Sequence, residues 1–345
     1  MHRQGSMQMR LPLGKVPPHL LDSAVFRYLG AKREDVIFGP SRGEDAAIVR
    51  VDGELLALHC DPISGAYSRI GWIAMNIATN DISTRGVKPR WAVTCILLPE
   101  ASDLALLESI CKDMDAAAKE LGVAIVGGHS EVTPGLNHPV VIVFPIGVTA
   151  KGKYVTSSGA KLGGRIILTK SVAIEGTAIL ASDRNELLKK EFGEEFTKRC
   201  GRFFEKLSVT REALLSFEFG GVQAMHDPTE GGLAGGLNEL TDAANLGFRI
   251  YEERIPVEPE TERICRFFGI DSLGLISSGS LIVIADPEST KGISDRLEEI
   301  GIRASVIGEI VEPGNRTIIR KNGSEEQLPM PASDEIWKAL SKAMR

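Results

Sequence analysis

The chain has 345 residues, 43% hydrophobic and 25% charged, an ordinary globular composition long enough for two hydrophobic cores. Its net charge of −6 and lack of any basic run exclude general binding to a nucleic-acid backbone. No apolar stretch approaches the ~18–20 residues that cross a bilayer, and no apolar segment follows the positively charged start MHRQGSMQMR, so a cytoplasmic location without a signal peptide is expected.

Apolar strand-like runs alternate with helical spacing along the whole chain. Residues 46–51 and 55–60 read as two strands joined by a tight turn at Gly53. A helix is expected over 70–85, a strand over 91–97, and a helix where Leu104, Leu107, Cys111, Met114 and Leu121 recur. Residues 123–126 read as a short buried strand. Residues 140–148 form another, with Pro145 suggesting an edge or a bulge. The polar, glycine-rich stretch 151–164 marks the expected domain boundary. Beyond it, strands are expected at 165–169, 221–225, 280–285 and 304–310, with helices at 173–182, 230–244, 290–300 and 334–345. Two α/β units of similar size are the simplest account: 1–152 and 153–331, followed by a terminal helix at 332–345.

Cys60, Cys95, Cys111, Cys200 and Cys265 form no CxxC pair, and their odd number and wide spacing fit neither a disulfide framework nor a zinc site. Buried thiols are expected, with Cys60 set apart because it adjoins Asp61.

Five segments break local rules, mostly where apolar runs end and loops leave groups free for chemistry. In Gly43-Glu44-Asp45, a carboxylate enters a strand; it is either a turn residue or a metal or phosphate ligand. Asp61 stops a strand before Pro62, which holds it extended. It is a cap or, with Asp45, part of a Mg²⁺ site, since Mg²⁺ favours one or two carboxylates plus phosphate oxygens. In 70–85, Ile70, Ile73 and Ile77 make an apolar stripe while Asn76, Asn80 and Thr84 recur every four residues, with Asp81 beside them. Such residues are poor helix formers, so this face is expected to look into a site rather than water. The run into Gly127-Gly128-His129 can bring backbone against a phosphate with no Cβ in the way. His129 is a hydrogen-bond donor, a general base or a loop histidine. In His226-Asp227-Pro228-Thr229-Glu230-Gly231-Gly232 a strand gives way to a helix whose start can attract an anion. Gly231, Gly232, Gly235 and Gly236 each cost ~1 kcal/mol of helix stability relative to Ala, which implies close packing or close ligand approach.

In this order, GEDAAI at 43–48, CD at 60–61, ND at 80–81 with RGVKP at 85–89, GVAIVGGHSEV at 122–132, HDPTEGGLAGGL at 226–237 and SSGSLIV at 277–283 resemble the PurM-like superfamily. It includes aminoimidazole ribonucleotide (AIR) synthetase, formylglycinamide ribonucleotide amidotransferase, selenophosphate synthetase, thiamine-phosphate kinase and the hydrogenase-maturation protein HypE. The resemblance spans most of the chain and is nearest to HypE and AIR-synthase-related proteins. It implies an N-terminal α+β domain that pairs with a second copy into a barrel-like homodimer, and a C-terminal α/β domain. ATP would bind between the domains and partly across the dimer. By the same resemblance Asp45, Asp61, Asp81 and Asp227 would surround Mg²⁺ and the polyphosphate. Asn80, Gly127, Gly128 and the turn Thr229, Glu230, Gly231, Gly232 would cradle ATP, and Lys15 could cover the phosphates. Asp81, His129 and Lys15 are the catalytic candidates.

Three departures matter. HypE-type proteins end in a cysteine that carries the carbamoyl group ATP helps to dehydrate, whereas this sequence ends Ala343-Met344-Arg345, so that reaction is not assigned. No reactive cysteine precedes Lys15, unlike selenophosphate synthetase, and the kinase's acidic acceptor region is replaced by PISGAYSRIG. The expectation is an ATP- and Mg²⁺-dependent synthase, ligase or kinase that activates an oxygen of a small-molecule or protein-borne acceptor. Residues 64–69 and 134–138 would select that acceptor. A nucleotide-binding accessory factor acting through a maturation partner is the alternative. A dinucleotide oxidoreductase is excluded because no GxGxxG opens a βαβ unit.

Overall fold

The computed structural model describes residues 16, 20–21, 24–150 and 152–341. The first sheet contains β1 (Val36–Phe38), β2 (Ala47–Val51), β3 (Glu54–Leu58), β4 (Asp61–Ile63), β5 (Pro89–Leu98), β6 (Ala124–Val132) and β7 (Val140–Thr149). Their order is β1-β2-β3-β7-β5-β6, with β4 also beside β7. In this sheet, among the described residues, only the β5–β6 pair is parallel; helix α2 (Leu104–Leu121) supplies the crossover such a pair needs. Along β5 the pleat alternates. Ala92, Ile96 and Leu98 are buried against helix α1 (Ile70–Ser83) and α2, while Trp91 and Val93 on the opposite face are exposed.

Every residue of α1 is buried. It lies against the first sheet on one side and the C-terminal part of the chain on the other. Trp72 Nε1 donates to Phe204 O at 2.7 Å, and Ser83 Oγ donates to Thr210 Oγ1 at 2.9 Å. The helix stops where Gly86 turns at φ +73°; a Cβ there would sit 2.4 Å from the Phe217 ring. The polar stripe therefore faces the seam between the two halves.

The second sheet contains β8 (Arg165–Thr169), β9 (Val222–His226), β10 (Gly247–Tyr251), β11 (Ile282–Ala285), β12 (Ala304–Val311), β13 (Arg316–Ile319) and β14 (Glu325–Gln327), in the order β14-β13-β10-β12-β8-β11-β9. Helices α3 (Ile174–Asp183), α4 (Asn185–Phe192), α5 (Glu194–Gly201), α6 (Thr210–Phe219), α7 (Gly232–Ala244), α8 (Pro259–Phe268), α9 (Pro287–Glu299) and α10 (Glu335–Ser341) complete this half. β11 and the 166–168 core of central strand β8 are apolar throughout because both their faces are covered. Ile166, Leu168, Ile282 and Ile284 pack with α7, while Ile167, Val283 and Ala285 pack with α6 and α9.

Two strand expectations are corrected. β6 is neither short nor buried: it runs nine residues at the sheet edge, all of them exposed, and contains Gly127 and Gly128 rather than ending at them. β7 is an interior strand although it carries Pro145. Its neighbour on that side breaks between β3 and β4, and Pro145 O accepts from His59 N there at 3.4 Å, so the missing N–H falls where the ladder is interrupted. The cysteines are also more varied than expected. All five are free thiols, with Cys200 and Cys265 buried, Cys60 and Cys111 exposed and Cys95 intermediate. No described helix is long and apolar enough to cross a membrane.

Candidate functional site

A cleft of about 930 Å³ opens between the two halves. Its walls come from residues 40–45, 59–61, 229–231 and 330–334, joined by Val16, Leu21, Phe26, Asp81, His226 and Glu239. The 64–69 and 134–138 segments expected to select the acceptor do not line it.

Asp45, entering β2, is buried across from the end of β9. Its Oδ1 lies 2.7 Å from His226 Nδ1, and its Oδ2 accepts from Thr84 Oγ1 at 3.0 Å. The other imidazole nitrogen lies 3.1 Å from Glu239 Oε2 on α7. Burial alone would raise the Asp45 carboxyl, but the His226 charge and hydrogen bond, with Arg85 and Thr84, outweigh it and hold the group low, at about 2. Burial would likewise discharge His226, yet its two carboxylate partners push it up to about 10. The pair is a carboxylate–imidazolium bridge between the halves.

This approach needs Gly43. At φ +68°, a Cβ there would stand 2.3 Å from Glu239 O in α7. Next to it, the side chain of Glu44 is buried, paired with Arg85 Nη1 at 2.6 Å, and accepts from the backbone N–H groups of Ser157 and Ser158. Such a buried pair is costly to break by removing one partner, about 3–5 kcal/mol.

Asp81 lies in the last turn of α1, with Oδ2 3.1 Å from His59 Nε2. Asp227 follows β9 and is 1% exposed. Asp45, Asp81 and Asp227 each bring a carboxylate oxygen to a point where all three atoms lie within 4.8 Å of one another. His59, Asp61 and Asp81 make a second such group. Three hard oxygen donors at this spacing fit a divalent cation of the Mg²⁺ kind. Behind the wall, Glu175 on α3 is 2% exposed. Burial raises its carboxyl to about 8, and the charges of Asp334, Asp61 and Asp227 add to the effect.

Thr229, Glu230 and Gly231 line the cleft before α7. The glycines here answer to packing: a Cβ on Gly232 would lie 2.6 Å from the carbonyl oxygens of Leu273 and Leu275, and one on Gly236 2.8 Å from Pro228. One backbone donor of this turn is already engaged, since Gly231 N donates to Asp334 Oδ2 at 2.7 Å. Trp337 Nε1 in α10 donates to Glu230 Oε1 at 3.1 Å, so this helix and Asp334 before it brace the turn.

Other expected site residues lie elsewhere. Asn80 does not face the cleft. It is fully buried, its Nδ2 donating to Leu207 O and its Oδ1 accepting from Val209 N, which makes it a tie between the halves. Gly127, Gly128 and His129 sit on exposed β6, away from the cleft of their own chain, with His129 Nε2 2.8 Å from Glu131 Oε2. Gly128 is required by packing, because a Cβ would lie 2.3 Å from Thr94 O. Lys15 lies outside the described residues. His59, Glu175, His226, Glu239 and Asp334 are the cleft-side groups that sequence reasoning did not single out. His226 directly precedes Asp227 and His59 lies two residues before Asp61, the one signal that pointed to them.

Residues 43–149 match the family described as AIR synthase related protein, N-terminal domain, and residues 161–321 match its C-terminal domain. The chain belongs to the AIR synthase related family. A putative hydrogenase expression/formation protein of Methanocaldococcus jannaschii is 27% identical over 94% of this chain and 96% of its own length. Carbamoyl dehydratase HypE of Cupriavidus necator is 31% identical over 72% of this chain and 70% of its own. Among solved structures, the HypE–HypF complex is similar at a TM-score of 0.75 and 25% identity, covering 90% of this chain and 99% of that one. HypE in complex with ATP shares the fold at a TM-score of 0.70 and 24% identity, covering 92% and 96%. The PurM-like fold of this family is thus the fold of the chain.

Proposed function

We propose that this protein is an ATP- and Mg²⁺-dependent enzyme that activates an oxygen atom of an acceptor by phosphorylating it. The observation that carries this reading is the meeting of Asp45, Asp81 and Asp227, drawn from three distant segments, with ligand oxygens within 4.8 Å of one another beside the cleft that Asp45 and Asp81 line. The cleft volume of about 930 Å³ suits a nucleotide with part of an acceptor. The ATP complex of HypE, which has this fold, supports the choice of nucleotide.

In this reading Asp45, Asp81 and Asp227 hold the cation, with Asp61 beside them. Mg²⁺ bound there supplies positive charge that offsets the polyphosphate. The protein's own contribution is positioning. His226 and Thr84 fix both oxygens of Asp45, and the braced turn from Thr229 to Gly232 forms the wall along the phosphates. Catalysis by placement and electrostatics is what phosphoryl transfer requires.

We also propose a homodimer across exposed β6, with residues 1–152 and 153–331 as the two domains of each copy. An edge strand with Ile125, Val126 and Val132 exposed, next to exposed Trp91, Val93 and Phe144, invites pairing with a second chain. Gly127, Gly128 and His129 would then serve the partner's nucleotide. The complex of HypE with HypF supports a protein partner as well, and a cytoplasmic location would supply ATP.

The test is calorimetric titration of ATP and ADP, with and without Mg²⁺, into wild type, Asp45→Asn and Asp227→Asn. Micromolar, Mg²⁺-dependent ATP binding that both variants lose is expected. Absence of nucleotide binding would overturn the reading and put a role through protein partners first.

A further inference from the structure

A second hollow, of about 310 Å³, lies in the C-terminal half and shares no lining residue with the cleft. It opens where β10 and β13, which run parallel side by side in the second sheet, reach their carboxyl ends. Loops diverge at such ends, and α/β sheets take ligands there. The volume is at the lower limit of small-molecule pockets, about 300–1,000 Å³, so it suits a metabolite smaller than a nucleotide. We propose that this hollow binds an α-amino acid with an aliphatic side chain of leucine size, in its zwitterionic form.

The rim carries both signs of charge, drawn from different elements. Arg303 directly precedes β12 and Lys321 follows β13, and the end of β10 lies between these two strands. Glu262 comes from α8, and Asp271 from the loop after it. Among the described residues, no salt bridge or side-chain hydrogen bond engages Arg303, Lys321, Glu253 or Glu262. Glu252 is committed, accepting from Lys321 N at 2.9 Å and pairing with Arg320 at 3.6 Å. Cations and carboxylates that share a hollow without pairing leave both signs for a ligand. The carboxylate of an amino acid takes the cations and its ammonium takes the acidic groups, through charge-assisted hydrogen bonds.

The floor is apolar and fixed. Ile255, Pro256 and Leu273 are buried there. Pro256 O accepts from Val172 N at 3.0 Å, and Leu273 O accepts from Ala234 N of α7 at 2.9 Å. Leu273 N donates to Asp271 Oδ1 at 2.9 Å, which sets the loop and that carboxylate together. A floor shaped in advance adds little ordering cost to binding. Covering it with an aliphatic side chain removes apolar surface from water, which a polar side chain does not.

Calorimetric titration of L-leucine into the full chain tests the inference. Glycine, isoamylamine and isocaproate are the comparisons; they lack the side chain, the carboxylate and the ammonium in turn. L-leucine should bind once per chain with a Kd of roughly 1 mM or below, and each comparison at least tenfold more weakly. Arg303→Met and Glu262→Gln should each weaken L-leucine at least tenfold. Neither side chain has a partner to lose, so both variants should unfold at the wild-type temperature. Absence of L-leucine binding overturns the inference. So does isoamylamine binding as tightly as L-leucine, which would reduce the hollow to an acidic patch that attracts amines. Wild-type affinity in both variants would place the ligand elsewhere and also overturns it. Neither variant touches the cleft, so the proposed function does not depend on the result.

Discussion

His226 Nδ1 and Asp45 Oδ1 are 2.7 Å apart although 181 positions separate them in the chain. The contact crosses from one half of the molecule to the other and continues to Glu239, so one imidazolium is buried between two carboxylates. Its position decides how Asp45 is presented to the cleft.

The pH dependence of this bridge follows from its two shifts. His226 is held up at about 10 against an ordinary 6.5, so its stabilisation is complete below about pH 6.5 and is lost as pH rises through about 10. Asp45, held near 2, contributes above its ordinary 3.8 and loses that contribution as pH falls through about 2. Thermal unfolding of wild type and His226→Gln from pH 6 to 10.5 should show wild type the more stable at neutral pH. The gap should narrow by up to ~1.4 kcal/mol per pH unit on the alkaline side. A constant gap would mean that His226 is not charged in the fold.

Glu175 has the opposite consequence. The folded protein keeps a proton that the unfolded chain releases above about 4.5, so stability falls with rising pH until about 8 and is level beyond. Glu175→Gln removes that penalty. Urea unfolding at pH 5, 6.5 and 8, in the presence of EDTA, should show an advantage for the variant that grows by up to ~1.4 kcal/mol per unit. Equal stability at all three values would show that the carboxyl is ionised in the fold.

The thiols should separate into classes. Cys60 and Cys111 are exposed, while burial pushes Cys200 and Cys265 up to about 12. An aromatic disulfide reagent should label Cys60 and Cys111 in the native protein and reach Cys200 and Cys265 only on unfolding. Labelling of Cys200 at the rate of Cys111 would contradict the packing of α5.

Much of this architecture is legible in the sequence because period and punctuation agree. The apolar spacing of Leu104, Leu107 and Met114 marks α2, Gly53 marks the β2–β3 turn, and Asp45, Asp61, Asp81 and Asp227 draw notice by interrupting apolar runs. What escapes has a physical cause. Ile125 and Val126 have the composition of a buried strand, and nothing local distinguishes an apolar edge from a core. Pro145 reads as an edge residue unless the break between β3 and β4 is known. NELLKKEF and EEFTKRCG, in α4 and α5, carry too few apolar positions to reveal a helical period. The His226 bridge needs partners 13 and 181 positions away, a relation that no local pattern encodes.

With the cation bound as proposed, the division of the carboxylates between the halves would tie ion content to stability. Asp45 and Asp81 come from the side of the first sheet, and Asp227 follows a strand of the second. An ion held by all three would bind the docked arrangement more tightly than either half alone, and would act as a clamp whose strength is set by concentration. At a hundredfold excess over its dissociation constant it adds ~2.7 kcal/mol to folding, a sizeable share of what holds an ordinary protein together. Starvation for divalent cations would then loosen the molecule as well as idle it, and its lifetime in a cell would follow the supply of metal.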